Sequence, residues 1–176
     1  MRYILDLDHT LLQTERFVSD VMRDGRLDTL ITPGIWEHYD PKEYLFPDVL
    51  PWLAERSPEE LVLLTMYTPR LGGEARAFQE EKVRRLGFFE QFGTVRVMEG
   101  EKGPHVAELA GDSDSDEPVV FVDDSPVHLQ SAREHAPTVT VLEMRRPEYA
   151  AQHGETAPVA PPIASLTDID AMMQRP

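Results

Sequence analysis

The chain has 176 residues, enough for one domain and too few for two of ordinary size. Hydrophobic residues make up 41% and charged residues 28%, the balance of a folded globular protein, while 32 acidic against 17 basic residues leave a formal net charge of −15. That charge disfavours broad binding to nucleic acid or anionic lipid, and the absence of cysteine excludes disulfides, thiol catalysis and Cys-ligated metal centres.

In chain order, Tyr3-Ile4-Leu5 opens as an apolar strand and ends in Asp6-Leu7-Asp8-His9-Thr10. Acid arriving so early is unlike a signal peptide, and no apolar run reaches the ~20 residues of a membrane span. A cytoplasmic protein with no membrane partner is expected. Residues 13–46 form a long insert, with a helix around Glu15 to Arg23 and an aromatic cluster of Trp36, Tyr39, Tyr44 and Phe46. Those rings are better suited to packing the insert on the core than to lining an entrance. Pro47 to Glu55 reads as a short helix, and Leu61 to Thr65 as a second apolar strand.

Thr68-Pro69 is a helix-start signal. Leu71, Ala75, Phe78, Val83, Leu86 and Phe89 then recur at roughly helical spacing, with Gly87 as a stop. Thr94 to Met98, Val119 to Val122 and Thr138 to Leu142 are three further strand candidates, and Ser125-Pro126 starts another helix. Unbroken apolar runs of this length suit strands buried on both faces, and their alternation with helices predicts an α/β fold with a mostly parallel sheet. The core is expected over residues 1–146. Residues 147–176 read as an appendage: Pro147 to Pro162 holds four Ala and four Pro, a loose linker, and Ser165-Leu166-Thr167-Asp168 opens a short terminal helix.

Ligands in open parallel sheets bind at the carboxyl ends of the strands. The first strand delivers Asp6 and Asp8 to that edge, the second Thr65, the loop after the third Lys102, and the fourth Asp123 and Asp124. Crowded carboxylates with a hydroxyl and an ammonium suit phosphoryl transfer. Mg²⁺ relieves the crowding and prefers carboxylates, water and phosphate oxygens, while Lys102 and Thr65 hold the other phosphoryl oxygens. Asp6 and Asp8, two apart on an extended strand, share a face. One can attack phosphorus, and the other can move the protons.

These motifs, in this order over residues 3 to about 143, resemble those of the haloacid dehalogenase (HAD) superfamily. Asp6-Leu7-Asp8-His9-Thr10 is similar to its first motif, Thr65 to its second, Lys102 before Gly103-Pro104 to its third, with Lys82 as second choice, and Val119 to Asp124 to its fourth. The resemblance implies a three-layer Rossmann-like core with the first strand central. It implies Asp6 as nucleophile and Asp8 as general acid/base. It places Mg²⁺ on Asp6, the backbone carbonyl of Asp8 and Asp123, with Asp124 acting directly or through water. Dehalogenases of the family lack the second Asp, so Asp8 argues for a phosphatase or phosphotransferase. His9 replaces the commonest residue there, Gly.

The expected function is therefore a Mg²⁺-dependent phosphomonoester hydrolase acting on a phosphorylated substrate: a small metabolite, a nucleotide or a phosphoprotein. The alternative is a non-catalytic phosphate-binding or regulatory domain of the same fold. A receiver domain would carry its acidic pair on the first strand, the reverse of this order. Only 37 residues separate Thr65 from Lys102, too few for a sizeable cap there, and the insert is long enough only for a minimal lid. The length and Leu45 to Leu53 resemble the compact, nearly capless members; Asp123-Asp124-Ser125-Pro126 resembles relatives of carboxy-terminal-domain phosphatases. Asp168-Ile169-Asp170 repeats the Asp-x-Asp spacing without a preceding strand and gets no role. Asp112, Asp114 and Asp116 lack the Gly and closing Glu of a calcium loop and read as a solvated acidic run. The histidines at 9, 38, 105, 128, 135 and 153 show no ligand spacing.

Overall fold

The apolar runs pair as a six-stranded parallel sheet in the order β3-β2-β1-β4-β5-β6. The strands are β1 (Arg2–Leu5), β2 (Leu61–Met66), β3 (Thr94–Met98), β4 (Val119–Asp123), β5 (Thr140–Met144) and β6 (Pro162–Ile163). This computed structural model describes residues 1–111, 117–149 and 156–174. The acidic run at 112–116 and the middle of the Ala/Pro-rich stretch, 150–155, lie outside them.

Strand pleating divides the core in two. Leu5, Leu63 and Val122 face one side, packed with Phe17 of α1 (Thr14–Arg23), Trp52 of α2 (Val49–Ala54), Val83 of α3 (Ala75–Leu86) and Ile169 of α7 (Thr167–Met173). Ile4, Val62 and Phe121 face the other, against Val106 of α5 (Gly103–Gly111) and Leu129 of α6 (Pro126–His135). The result is the three-layer Rossmann-like arrangement with β1 central. The short α4 (Phe88–Gln91) follows α3 through Gly87, whose φ of 78° is the left-handed stop expected there. Trp36, Tyr44 and Phe46 of the insert are buried in the first core face, so the aromatic cluster does pack rather than line. No helix among the described residues is long and apolar enough to cross a membrane.

The helix after β2 starts later than Thr68-Pro69 suggests. Those residues make one 3₁₀ turn, Pro69–Leu71, ended by Gly72 at φ 114°, and α3 begins at Ala75. Leu71 and Phe89 are consequently exposed. Their places on the buried face are taken by Gln79 and Lys82, and that exchange matters for the site.

The sixth strand has no run of its own in the sequence. It is two residues long with Pro at its edge position. Buried Glu143 recruits it: its Oε2 accepts from the backbone N–H of Val159 at 2.6 Å and of Ala160 at 3.3 Å, beside the Arg145 N–H to Ile163 O bond of 2.8 Å. Beyond it, Leu166 and Ile169 are fully buried, Leu166 N–H donates to Asp48 Oδ2 at 2.8 Å, and Asp170 accepts from Trp52 Nε1 at 3.2 Å and Arg56 at 2.5 Å. Asp168 caps this turn, accepting from the N–H groups of Ala164 and Ser165 at 2.8 and 2.9 Å. Burying side chains of this size stabilises by roughly 1.5–3 kcal/mol each, a large share of a domain's 5–15 kcal/mol. A chain ending at Tyr149 is therefore expected to melt well below the full chain or to aggregate. An unchanged melting temperature would show that the tail adds nothing to the fold.

Candidate active site

The chain runs from β1 outward to β2 and β3, then returns to the other side of β1 for β4. The strand order reverses between β1 and β4, where a crevice opens at their carboxyl ends. The register pairs Leu5 with Val122, and Asp6 N–H donates to Val122 O at 3.0 Å. Asp6 and Asp123 therefore arrive side by side. One carboxylate oxygen from each of Asp6, Asp123 and Asp124 lies within 4.8 Å of the others.

Lys102 joins them from the start of α5. Its ammonium donates to Asp6 Oδ1 and, at 2.7 Å, to Asp123 Oδ2, while Asp123 Oδ1 accepts from Ser125 N–H at 2.8 Å. The next residue has to be glycine. A Cβ at Gly103 would sit 2.3 Å from the Ser131 carbonyl oxygen of α6, so only glycine lets α5 approach closely enough to deliver the lysine.

The electrostatics follow from burial and crowding. Burial pushes Asp6 up, Lys102 pulls it down, and Asp123 and Asp8 push it up again, to about 6. Asp124 is raised to about 8 by burial and by the charges of Asp6 and Asp123. Burial alone would lower Lys102, but Asp123 and Asp6 outweigh it and the ammonium is held charged. Three converging carboxylates with a surplus of negative charge are the donor set of a small, hard divalent cation, and Mg²⁺ fits it.

Asp8 belongs to a second network. Lys82 Nζ donates to both of its oxygens, at 2.7 and 2.8 Å, Gln79 Nε2 to Oδ2 at 2.8 Å, and Thr14 Oγ1 to Oδ1 at 2.8 Å. Burial pushes this carboxyl up, but the lysine and the three sets of hydrogen bonds prevail and lower it to about 2. Its side chain is thus committed to Lys82. Thr65 is fully buried, and its Oγ1 accepts from the same Gln79 amide at 2.6 Å. The hydroxyl is linked to Asp8 through Gln79 rather than to the carboxylate trio.

All the residues singled out in the sequence reach this sheet edge, in two groups: Asp6, Lys102, Asp123 and Asp124 in one, Asp8 and Thr65 in the other. Lys102, not Lys82, bridges the acid cluster. Thr14 and Gln79 were not legible as site residues by motif, and Lys82, second choice for the third motif, serves Asp8 instead. The signal for Gln79 and Lys82 was there: positions 75, 78, 79, 82, 83 and 86 form one helical face, and polar residues within an apolar stripe need a buried partner. His9 occupies a backbone position at φ 61°, in the left-handed region that favours glycine, with its ring edge-on to Tyr149 at 5.0 Å. A cavity of about 210 Å³ is lined by Asp6, Asp8, Lys102, Asp123, Asp124 and His128, among others. His128 is held below its usual range by burial and by Lys102.

No protein-family model and no curated protein matches the chain by sequence. Solved structures do match. A protein described as a haloacid dehalogenase-like hydrolase from Burkholderia xenovorans LB400 aligns over 97% of this chain and 94% of its own, with TM-score 0.70 and 17% identity. The D,D-heptose 1,7-bisphosphate phosphatase of B. bronchiseptica, solved with magnesium and phosphate, covers 98% of each chain at TM-score 0.58 and 17% identity. The L-2-haloacid dehalogenase of Xanthobacter autotrophicus, with chloropropionic acid covalently bound, covers 98% of each at 0.57 and 16%. The chain has the HAD-like fold. At these identities the likeness is one of fold, and a phosphatase and a dehalogenase share it.

Proposed function

We propose that this chain of HAD-like fold is a Mg²⁺-dependent phosphomonoester hydrolase that works through a phosphorylated Asp6. The observation that carries the reading is the convergence of Asp6, Asp123 and Asp124 around Lys102, with a second carboxylate, Asp8, two residues from the first. The magnesium-bound phosphatase of the same fold supports it.

Asp6, Asp123 and Asp124 would hold the metal, which when bound supplies positive charge against the phosphoryl oxygens. Lys102 adds a fixed ammonium to the same field. An Asp6 oxygen forms a bond to phosphorus as the ester P–O bond breaks, and the departing oxygen takes a proton to become an alcohol. Water then attacks phosphorus, the bond to Asp6 breaks, and inorganic phosphate leaves with the carboxylate restored. The sum is one water consumed per ester cleaved. Asp8, which rests as a carboxylate, is the proton carrier: it takes a proton from the attacking water and passes it to the departing oxygen of the next ester, the first departing oxygen being protonated by solvent. Clamped by Lys82 it is a carboxylate at neutral pH, so leaving groups that depart as weak bases need least from it.

Hydrolysis of p-nitrophenyl phosphate tests this directly. Activity should disappear in chelator and return with Mg²⁺, and Ca²⁺ should restore it poorly because its larger, looser shell misplaces the phosphate against Asp6. Undiminished activity in chelator would remove the metal from the mechanism.

A further inference from the structure

The phosphate-site cavity is not alone at this sheet edge. A second cavity of about 320 Å³ adjoins it and shares Asp8, His9 and Met66 as a common wall. Away from that wall the lining is mostly apolar, with Phe17, Val18, Leu30 and Ile31 from the insert and Leu71 and Phe78 from the segment after β2, while Thr14, Tyr67, Thr68, Gln79 and Lys82 are its polar members. Leu71, 57% exposed, leaves a large apolar side chain at the surface where this pocket is built. The far wall is rigid. Phe17 stacks on Trp36 at 4.6 Å, Trp36 stacks on Phe78 at 5.1 Å, and Trp36 Nε1 donates to the Phe78 carbonyl at 3.2 Å.

Charge decides what such a pocket accepts. The charged side chains in its lining are Asp8 and Lys82, and these neutralise each other through two hydrogen bonds. Among the described residues no lining Lys or Arg is left unpaired for the second phosphate of a sugar bisphosphate or nucleotide, and the net charge of −15 repels acidic peptides. The volume suits one or two rings, since an apolar cavity of about 150 Å³ holds benzene.

We propose that this pocket receives the leaving group of the substrate, and that the substrate is a phosphomonoester of an alcohol bearing a compact, uncharged apolar group of arene or branched-alkyl size. The proposal rests on the phosphatase reading. Because the two cavities share Asp8 and His9, a substrate spanning them would set its ester oxygen at their boundary, with phosphate on the Asp6 side and the apolar group on the Phe17–Phe78 side.

The test keeps leaving-group chemistry constant. With Mg²⁺ present, kcat/KM is measured for benzyl phosphate, glycerol 1-phosphate, ribose 5-phosphate and a phosphoserine peptide, all alkyl esters, with acetyl phosphate as a small substrate that leaves the pocket empty. Benzyl phosphate is expected to lead by about ten- to a hundredfold, the range a hydrophobic pocket supplies. Ile31→Trp, which fills the pocket from the insert, should lower the benzyl-to-acetyl ratio at least tenfold. If that variant fails to fold, Val18→Phe makes the same test from α1. On the wild-type protein, benzylphosphonate should bind at least tenfold tighter than methylphosphonate by calorimetry. Hydrolysis of acetyl phosphate without preference for benzyl phosphate, or with preference for the peptide or a sugar phosphate, overturns the pocket assignment and leaves the phosphatase reading standing. Absence of hydrolysis of acetyl phosphate and of every one of the esters overturns the phosphatase reading and this inference with it.

Discussion

Asp6→Asn is expected to abolish turnover, by a factor on the order of 10⁴ or more, because a carboxamide cannot form the acyl phosphate. The same change should not cost stability in the absence of metal. Asp6 is raised to about 6, above its ordinary carboxylate value, so its contribution favours folding while it is protonated and is lost as pH rises through about 6. Asp124 does the same up to about 8. Asp8, lowered to about 2, contributes stability that persists above the ordinary carboxylate range and is lost only in acid, outside this window. Between pH 5 and 8 the metal-free wild type should therefore lose melting temperature, and Mg²⁺ should restore more of it at pH 8 than at pH 5. Asp6→Asn should show a shallower pH slope in chelator. Near-normal turnover by this variant would refute the nucleophile assignment. A flat pH profile for the wild type would refute the crowding.

Lys102→Met is expected to damage both fold and activity. The ammonium is 2% exposed and is the shared counter-charge of Asp6 and Asp123. Removing one partner of a buried ion pair leaves uncompensated charge at a cost of about 3–5 kcal/mol. Urea denaturation in chelator at pH 8 should show that loss, and saturating Mg²⁺ should recover part of it by neutralising the same carboxylates. Activity should remain down by roughly 10²–10³ even with metal, since the cation does not replace a fixed donor to the phosphoryl oxygens. If stability and rate both survive, Lys102 is not the bridging group described here.

The two aspartates of the first motif call for different handling. Asp8→Asn strips the counter-charge from Lys82, itself 2% exposed, so a slow variant could be slow through misfolding. Asp8→Asn combined with Lys82→Met removes charge from both sides and isolates the loss of the proton carrier. Thr14 and Gln79 hold the same carboxylate, which is why a motif that looks self-contained over residues 6–10 depends on side chains from α1 and α3.

The order of apolar runs by itself determined the parallel α/β core, because strands buried on both faces cannot hide their composition. It also determined which residues reach the carboxyl edge, since each chemistry-bearing side chain directly follows a strand or, for Lys102, opens the next helix. Even the burial of Trp36, Tyr44 and Phe46 follows from ring area. What only the tertiary structure decided is how those residues divide. Parallel register sets Asp6 against Asp123, while the direction of α3 turns Gln79 and Lys82 inward onto Asp8, a contact between residues 74 apart in the chain. β6 and the docking of α7 were hidden for a related reason. Beside the buried Leu166 and Ile169, their docking is fixed by single polar anchors, Glu143, Asp48 and Arg56, whose partners lie on distant segments. Periodicity reports which face a residue presents. Pairing between distant segments depends on the path of the chain in space, and no local pattern encodes it.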